Sequence, residues 1–305
     1  MYMSRIAITG STGLIGEALV ASLRADGHQV QRVVRRQADA GDDDVVWDLD
    51  RGTIDAAKLE GVDAVVHLAG EPIGASRWTD ATKRAIRDSR ATGTGLIAET
   101  LAGLQDKPSV LVSSSAVGIY GDRGDELLSE TSTPGDDFLA EVCSVWESAA
   151  DPARAAGIRV VHPRTGVVIA DGGPLMDKLE LPFKLGVGGK VGSGGQYVPW
   201  ISLDDEVRAL RFLIDEDLEG AVNLVGPTPA TNLDLTQALG RVLRRPTVFP
   251  IPAFAIRALY GEMGETLATV SQRVVPERLQ QAGFSFAHDS IEAALRTALD
   301  RPAAA

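Results

Sequence analysis

Residues 6–16 read Ile-Ala-Ile-Thr-Gly-Ser-Thr-Gly-Leu-Ile-Gly, an apolar strand running into glycines at 10, 13 and 16, and the amphipathic stretch 14–27 follows at once. A strand that turns straight into a helix leaves few conformations open, and each glycine has a use there. Gly10 permits the tight turn, Gly13 lets a pyrophosphate approach the backbone, and Gly16 lets the helix pack closely. The free N–H groups at the helix start face the same point and favour an anion. In a chain with 32 glycines the spacing alone recurs by chance. The strand before it and the helix after it give the motif its meaning, a cradle for nucleotide phosphates.

Short β-rich runs at 5–9, 29–34, 45–47, 64–68, 110–113 and 159–162 alternate with helical patterns at 14–27, 79–103 and 138–156. This alternation predicts an α/β fold, a doubly wound parallel sheet with helices on both faces, and ligands at the carboxyl ends of its strands. The runs at 64–68 and 110–112 are nearly all apolar, as strands covered on both faces should be. From Asp171 the texture changes to glycines at 186–195 with prolines at 174, 182 and 199, which reads as loops. A helix at 203–215 and a strand at 221–225 read as returning to the sheet, and Thr231 or Asn232 caps a further helix to about Val242. The expected division is a nucleotide-binding unit at 1–170, rejoined by 198–226, and a smaller substrate-side region at 171–300 with a C-terminal module near 250–298.

The charge balance, 30 basic against 42 acidic residues for a net −12, argues against nucleic acid or an anionic membrane as partner, because a polyanion requires a basic face. Cys143 is the only cysteine, and His28, His67, His162 and His288 show no metal-ligand spacing, so neither an intrachain disulfide nor a metal is expected. No segment approaches about 20 uninterrupted apolar residues and no secretory leader is recognisable. A cytoplasmic protein is the expectation, with its oligomeric state open.

Where dinucleotide folds that prefer NAD carry an acidic residue about 20 positions past the glycines, this chain has Val33-Val34-Arg35-Arg36. Two guanidiniums there suit a 2′-phosphate and imply NADP(H). The competing reading is a solvated pair balanced by Asp42–Asp44. Asp48, after the third strand, is a candidate for the adenine amino group or an ordinary surface carboxylate.

Gly10-Ser-Thr-Gly-Leu-Ile-Gly16, Val65-Val-His-Leu-Ala-Gly70 and Ser113-Ser-Ser-Ala-Val-Gly-Ile-Tyr-Gly121 resemble the extended short-chain dehydrogenase/reductase superfamily. Leu68-Ala-Gly-Glu-Pro-Ile73, Arg77-Trp78, Ser89-Arg90, Trp146-Glu147, Leu181-Pro-Phe-Lys-Leu-Gly186, Gly192-Ser-Gly194 and Pro199-Trp-Ile201 narrow the resemblance to its atypical sugar-nucleotide epimerase-like subfamily, with a short C-terminal module of unknown function. The resemblance spans essentially the whole chain. It implies that Gly10, Thr12, Gly13, Leu14 and Ile15 line the pyrophosphate and that Arg35 meets the 2′-phosphate. It further implies that Leu68, Ala69 and Gly70 meet the adenosine half, that Arg90 is another cofactor contact, and that Pro163 and its successors approach the nicotinamide.

The chain departs from the superfamily at its proton-transfer pair. Counting back from Glu147 places Cys143 where a lysine belongs and Leu139 where a tyrosine belongs. Leucine has no ionisable proton, and a thiol supplies no fixed positive charge. Ser115, with Ser114 beside it, remains at the carbonyl-polarising position unless it bonds only to backbone. Glu71, just past the fourth strand, is the best replacement acid or base, against a cap or a ribose contact. His67 and His162 read as packed histidines and Tyr120 as a packed aromatic. Lys178, Lys184 and Lys190 around the glycine run suggest a flexible lid over an anionic substrate, or a solvated loop. The expected function is an NADP(H)-dependent oxidoreductase or epimerase-like enzyme acting on a small carbonyl or alcohol, a sugar nucleotide among the candidates. A non-catalytic NADP-binding regulatory or scaffold protein is the alternative.

Overall fold

The computed structural model describes residues 3–35 and 40–300. Its strands are β1 (Arg5–Thr9), β2 (Gln29–Val34), β3 (Val45–Asp48), β4 (Thr53–Ile54), β5 (Ala64–His67), β6 (Val110–Ser113), β7 (Ser115–Ala116), β8 (Leu127–Leu128), β9 (Arg159–Thr165), β10 (Val167–Ile169), β11 (Tyr197–Val198), β12 (Trp200–Ser202), β13 (Gly220–Leu224), β14 (Ala230–Thr231) and β15 (Arg273–Val274). The helices are α1 (Leu14–Ala25), α2 (Asp80–Gly103), α3 (Phe138–Ser148), α4 (Asp151–Ala155), α5 (Pro174–Lys184), α6 (Leu203–Asp215), α7 (Asn232–Leu243), α8 (Ala253–Thr269), α9 (Glu277–Gln281) and α10 (Ile291–Ala298).

Among the described residues the central sheet runs β13-β9-β6-β5-β1-β2-β3-β4, with β7 also paired to β9. It is parallel except where β4 folds back on β3. Alternation along each strand sends side chains to opposite faces. Ile6 and Ile8 of β1 pack with Leu19 and Leu23 of α1 and Leu210 and Leu213 of α6. Ala7 between them packs on the other face with Val65, Ile97 and Leu101, the last two from α2. β5 and β6 are buried at every position, as their apolar runs predict. The strand order reverses at β1, which has β2 on one side and β5 on the other, and this opens the crevice where such sheets bind ligands.

Three differences from the sequence reading have a clear local cause. The helix expected over 138–156 is two, α3 and α4, with Pro152 in the first turn of α4, where its missing N–H costs nothing. The segment after Asp171, read as loop, contains α5. Pro174 starts that helix, and the apolar positions Leu175, Met176, Leu179 and Phe183 repeat at helical spacing, which outweighs Pro182 inside it. The strand at 159–162 extends through Pro163 to Thr165. Pro163 falls between the last pair of β9 with β6, at Val161, and its first with β7, at Arg164, so on that side no ladder bond is lost.

Met176 and Phe183 of α5, Leu235 and Leu239 of α7, Ile291 and Leu295 of α10 and Trp200 make a further core beside the sheet. The Trp200 indole anchors there by donating to the Thr228 carbonyl. Helix α8 breaks at Gly261, whose backbone is non-helical. Arg77, from the loop after β5, donates to the Ala258 and Leu259 carbonyls at 2.8 Å, and Lys83 pairs with Glu262.

A Cβ on Gly16 would stand 2.1 Å from the Gly10 carbonyl oxygen, whereas one on Gly95 in α2 would meet nothing within 4 Å. Gly16→Ala should therefore lower stability by about 1–3 kcal/mol, and Gly95→Ala should raise it by about 0.5–1 kcal/mol. Chemical denaturation of both variants checks the contrast.

Candidate functional site

The turn from β1 to α1 is built by close backbone approach. Gly10 has φ +66°, and a Cβ there would lie 2.9 Å from the Ala69 nitrogen. Gly13 has an ordinary extended backbone, φ −86°, and a Cβ there would meet only the Gly10 oxygen at 3.4 Å. The chain itself therefore does not require glycine at 13, and the space beside it is open. Gly13 is also the N-cap of α1 and gives that helix no side-chain acceptor, which leaves its first N–H groups without a capping side chain. Thr12 is exposed there, with Leu14 and Ile15 half-buried.

Thr9 ties the ends of β1 and β5 together. Its hydroxyl oxygen accepts from the N–H groups of Leu68 at 3.0 Å and Ala69 at 3.1 Å and lies 2.8 Å from His67 Nδ1. With both acceptor positions filled, Thr9 donates to Nδ1, so the His67 proton sits on Nε2. Burial, reinforced by the Arg90 charge, pushes His67 down to about 4. It is a neutral structural histidine rather than a base.

Arg35 is exposed immediately beyond β2, while Arg36 lies outside the described residues. Asp44, weighed above as a counter-charge, instead pairs with Arg32. Burial opposes its ionisation, but the bonds from Arg32 and the Gly41 N–H hold its carboxyl below the usual value. Asp48 accepts from the N–H groups of Asp50 and Arg51, both at 3.0 Å, and so closes the turn after β3. Gly70 lies against Arg90, whose guanidinium donates to the Glu71 and Ile86 carbonyls and stacks 4.8 Å from the centroid of Trp146. The Glu71 side chain is exposed and its N–H donates to Ser89.

Ser115 follows β6, next to β5 in the sheet. It is 3% exposed, and its hydroxyl donates to Glu147 Oε1 at 2.7 Å. Arg164 grips the same carboxylate with two bonds, Nε to Oε1 at 2.8 Å and Nη2 to Oε2 at 3.0 Å. Its Nη1 donates to the Tyr120 hydroxyl, which donates in turn to Asn223 at 2.7 Å. Burial opposes the ionisation of Glu147, but the bonds and charge of Arg164, aided by Ser115, hold its carboxyl below the ordinary range. Leu139 and Cys143 flank Gly118 on α3. Burial and the nearby Glu147 push the Cys143 thiol up to about 12, so it carries no charge at neutral pH. His162 donates from Nδ1 to the Ser113 carbonyl and accepts at Nε2 from Arg154, a second fixed neutral imidazole. Pro163 is buried in β9.

The sequence reading used Glu147 only as a landmark and gave Arg164 no role. The available signal was an arginine inside an apolar strand, which requires a buried partner. The lid reading of the glycine run is also amended. The run is pinned by paired bonds between Lys190 or Gly192 and Ile251 and by the Val191 N–H to Asn232. Gly188 and Gly189 are small because Phe183 and the Phe249 carbonyl occupy the places their side chains would take. Lys184 pairs with Glu180, Lys190 with the Ser193 carbonyl, and Lys178 reaches the Gly74 carbonyl and the Tyr260 ring.

Residues 6–226 match the model of the NAD dependent epimerase/dehydratase family, and residues 251–298 match a domain of unknown function, DUF1731. The chain belongs to the NAD dependent epimerase/dehydratase family. It is 44% identical over 298 residues to the epimerase family protein Mb2239 of Mycobacterium bovis, covering 97% of this chain and 98% of that one. Among solved structures, human epimerase family protein SDR39U1 (isoform2) with NADPH superposes with a TM-score of 0.87 at 32% identity, covering 98% of this chain and all (100%) of that one. The nucleoside-diphosphate sugar epimerase from Corynebacterium glutamicum gives 0.81 at 38% identity, covering 98% of this chain and 58% of that one. These matches agree with the α/β fold and the extended short-chain dehydrogenase/reductase character read from the motifs. Among the described residues no helix is long and apolar enough to cross a membrane, and no group of three or more His, Cys, Asp or Glu is placed to hold a metal.

In this family member Glu206, in the first turn of α6, is 1% exposed and accepts a single bond, from the Thr165 hydroxyl. Burial pushes it up to about 8, only partly offset by Thr165. An acid with a raised folded pKa binds its proton more tightly folded than unfolded, so its contribution favours folding below the unfolded value and fades as pH rises through about 8. The stability of the parent relative to Glu206→Gln should fall between pH 5 and 8, by at most about 1.4 kcal/mol per pH unit. Parallel urea titrations across that range give the comparison.

Proposed function

We propose that the protein is an NADP(H)-dependent oxidoreductase or epimerase-like enzyme acting on a small carbonyl or alcohol, with sugar nucleotides among the candidates. The observation that carries the cofactor half is the open space at Gly13 beneath the uncapped start of α1. Gly10, Thr12, Gly13, Leu14 and Ile15 would hold the pyrophosphate, with Arg35 on the 2′-phosphate. Leu68 and Ala69 have their N–H groups committed to Thr9, which leaves their carbonyls for the adenosine half. Gly70, Asp48 and Arg90 border it, and Pro163 leads toward the nicotinamide. A bound nicotinamide supplies hydride chemistry, and the protein supplies orientation and proton handling. The unit at 1–170 with 198–226 would carry the cofactor, and 171–300 would face the substrate. Ser115 is the proposed substrate contact and Glu71 the proposed proton-exchanging carboxylate.

A second reading, an NADP-binding regulatory or scaffold protein, draws support from the uncharged Leu139 and Cys143 at the positions of the usual proton-transfer pair. Steady-state turnover over a panel of carbonyls, alcohols and sugar nucleotides separates the two readings.

Calorimetry should find NADPH bound roughly ten- to hundredfold more tightly than NADH, with the advantage lost in Arg35→Ala. Gly13→Ala should weaken NADPH while leaving the melting temperature near that of the parent, because its methyl group meets ligand rather than protein. Equal affinity for the two cofactors removes the 2′-phosphate assignment.

Interconversion of UDP-glucose and UDP-galactose should be absent or at least about 10²-fold slower than in an enzyme with the Tyr–Lys pair, since general acid–base catalysis contributes about 10²–10⁴-fold. Chromatography of the two sugars after prolonged incubation with the protein and NADP(H) measures it.

A further inference from the structure

Ser115 occupies the position expected to polarise a substrate carbonyl by donating a hydrogen bond. A hydroxyl has one proton and two acceptor positions, and here the proton is committed to Glu147 Oε1 at 2.7 Å. The direction of that bond is fixed by Arg164, whose two bonds to the same carboxylate keep it ionised, and an ionised carboxylate only accepts. Arg164 is itself held on its far side, where Nη1 donates to the Tyr120 hydroxyl at 3.0 Å and Tyr120 passes its own proton to Asn223. Asn223 is then fixed by donating to the Val275 carbonyl. Every hydrogen bond in the chain from Asn223 to Ser115 therefore has its donor and its acceptor assigned. For Ser115 to donate outward, the carboxylate would have to give up one of the bonds that offset its burial.

We propose that Glu147 is a positioning residue that takes the proton of Ser115, so that Ser115 meets its ligand as a hydrogen-bond acceptor and the site selects the hydroxyl form of its substrate over the carbonyl form. This rests on the reading of the site as NADP-linked, and it narrows the substrate class to an alcohol presented with the oxidised cofactor. It also separates the roles of two carboxylates. Glu147 sets the polarity of the serine from inside, with its side chain 17% exposed, whereas the Glu71 side chain is exposed on the loop after β5.

The test uses the full chain saturated with NADP⁺ and a set of matched secondary alcohols and ketones, with binding read by saturation-transfer NMR. Calorimetry first establishes that NADP⁺ binds; if it does not, the NADP-linked reading fails on its own. With NADP⁺ bound, the parent should favour the alcohol of each bound pair by about two- to tenfold, the worth of one neutral hydrogen bond. Ser115→Ala should abolish the preference and Ser115→Thr should keep it. Both leave the Glu147–Arg164 pair intact and so remain informative if the buried charge variants unfold. In Glu147→Gln the amide can donate to Ser115 and free its proton, so the preference should shift toward ketones, a change that loss of packing alone would not produce. A parent that favours ketones, an alcohol preference unchanged in Ser115→Ala, or a loaded protein that binds no alcohol in the set overturns the proposal.

Discussion

The structure depends on the contact of the first turn with the end of β5. Gly10 sits so close to Leu68 and Ala69, and Gly16 so close to Gly10, that side chains at either position would collide with backbone. The approach lets one hydroxyl, that of Thr9, accept from two N–H groups of the neighbouring strand and donate to His67. This places the start of α1 beside the carboxyl ends of β1 and β5, at the point where the strand order reverses. The open space at Gly13 results from glycines whose own freedom the fold has already used.

Close to Cys143, which with Leu139 stands where the superfamily's lysine and tyrosine are expected, the protein carries a buried charged network. Leaving either member of the Glu147–Arg164 pair without its partner would strand a charge in a poorly solvated site, at a cost far above that of an exposed pair. The arrangement is held by residues distant in sequence, with β9 supplying Arg164, α3 supplying Glu147 and β13 supplying Asn223. The network is a set of oriented hydrogen bonds from Asn223 through Tyr120, Arg164 and Glu147 to Ser115. His67 and His162 beside it are fixed in neutral forms by burial and by their partners.

Much of the fold was legible because its signals are local. The spans of β1, β2, β6 and α6 and the Thr231 cap of α7 follow the residue patterns closely. Misreadings came where two local rules competed. Prolines at 174 and 182 read as loop although the Leu175, Met176, Leu179 and Phe183 spacing is helical, and buried contacts decided for the helix. Pro163 read as the end of a strand, whereas β9 continues through it, and the change of neighbour from β6 to β7 at that point removes the need for its N–H on that side.

The sequence by itself determined the alternation of strands and helices, the glycine turn and the family, because each is written in residues within one or two elements. It also determined what the chain lacks, a tyrosine and a lysine at the expected spacing. Only the tertiary structure decided the direction of the Ser115 hydrogen bond, the charge state favoured by Glu147 and the commitment of Asp44 to Arg32 and of Asp48 to its own turn. Those properties depend on which groups meet across the sheet, 32 residues apart for Ser115 and Glu147 and 58 for Thr9 and His67. Burial and partner geometry, which no local pattern specifies, determine where each proton resides.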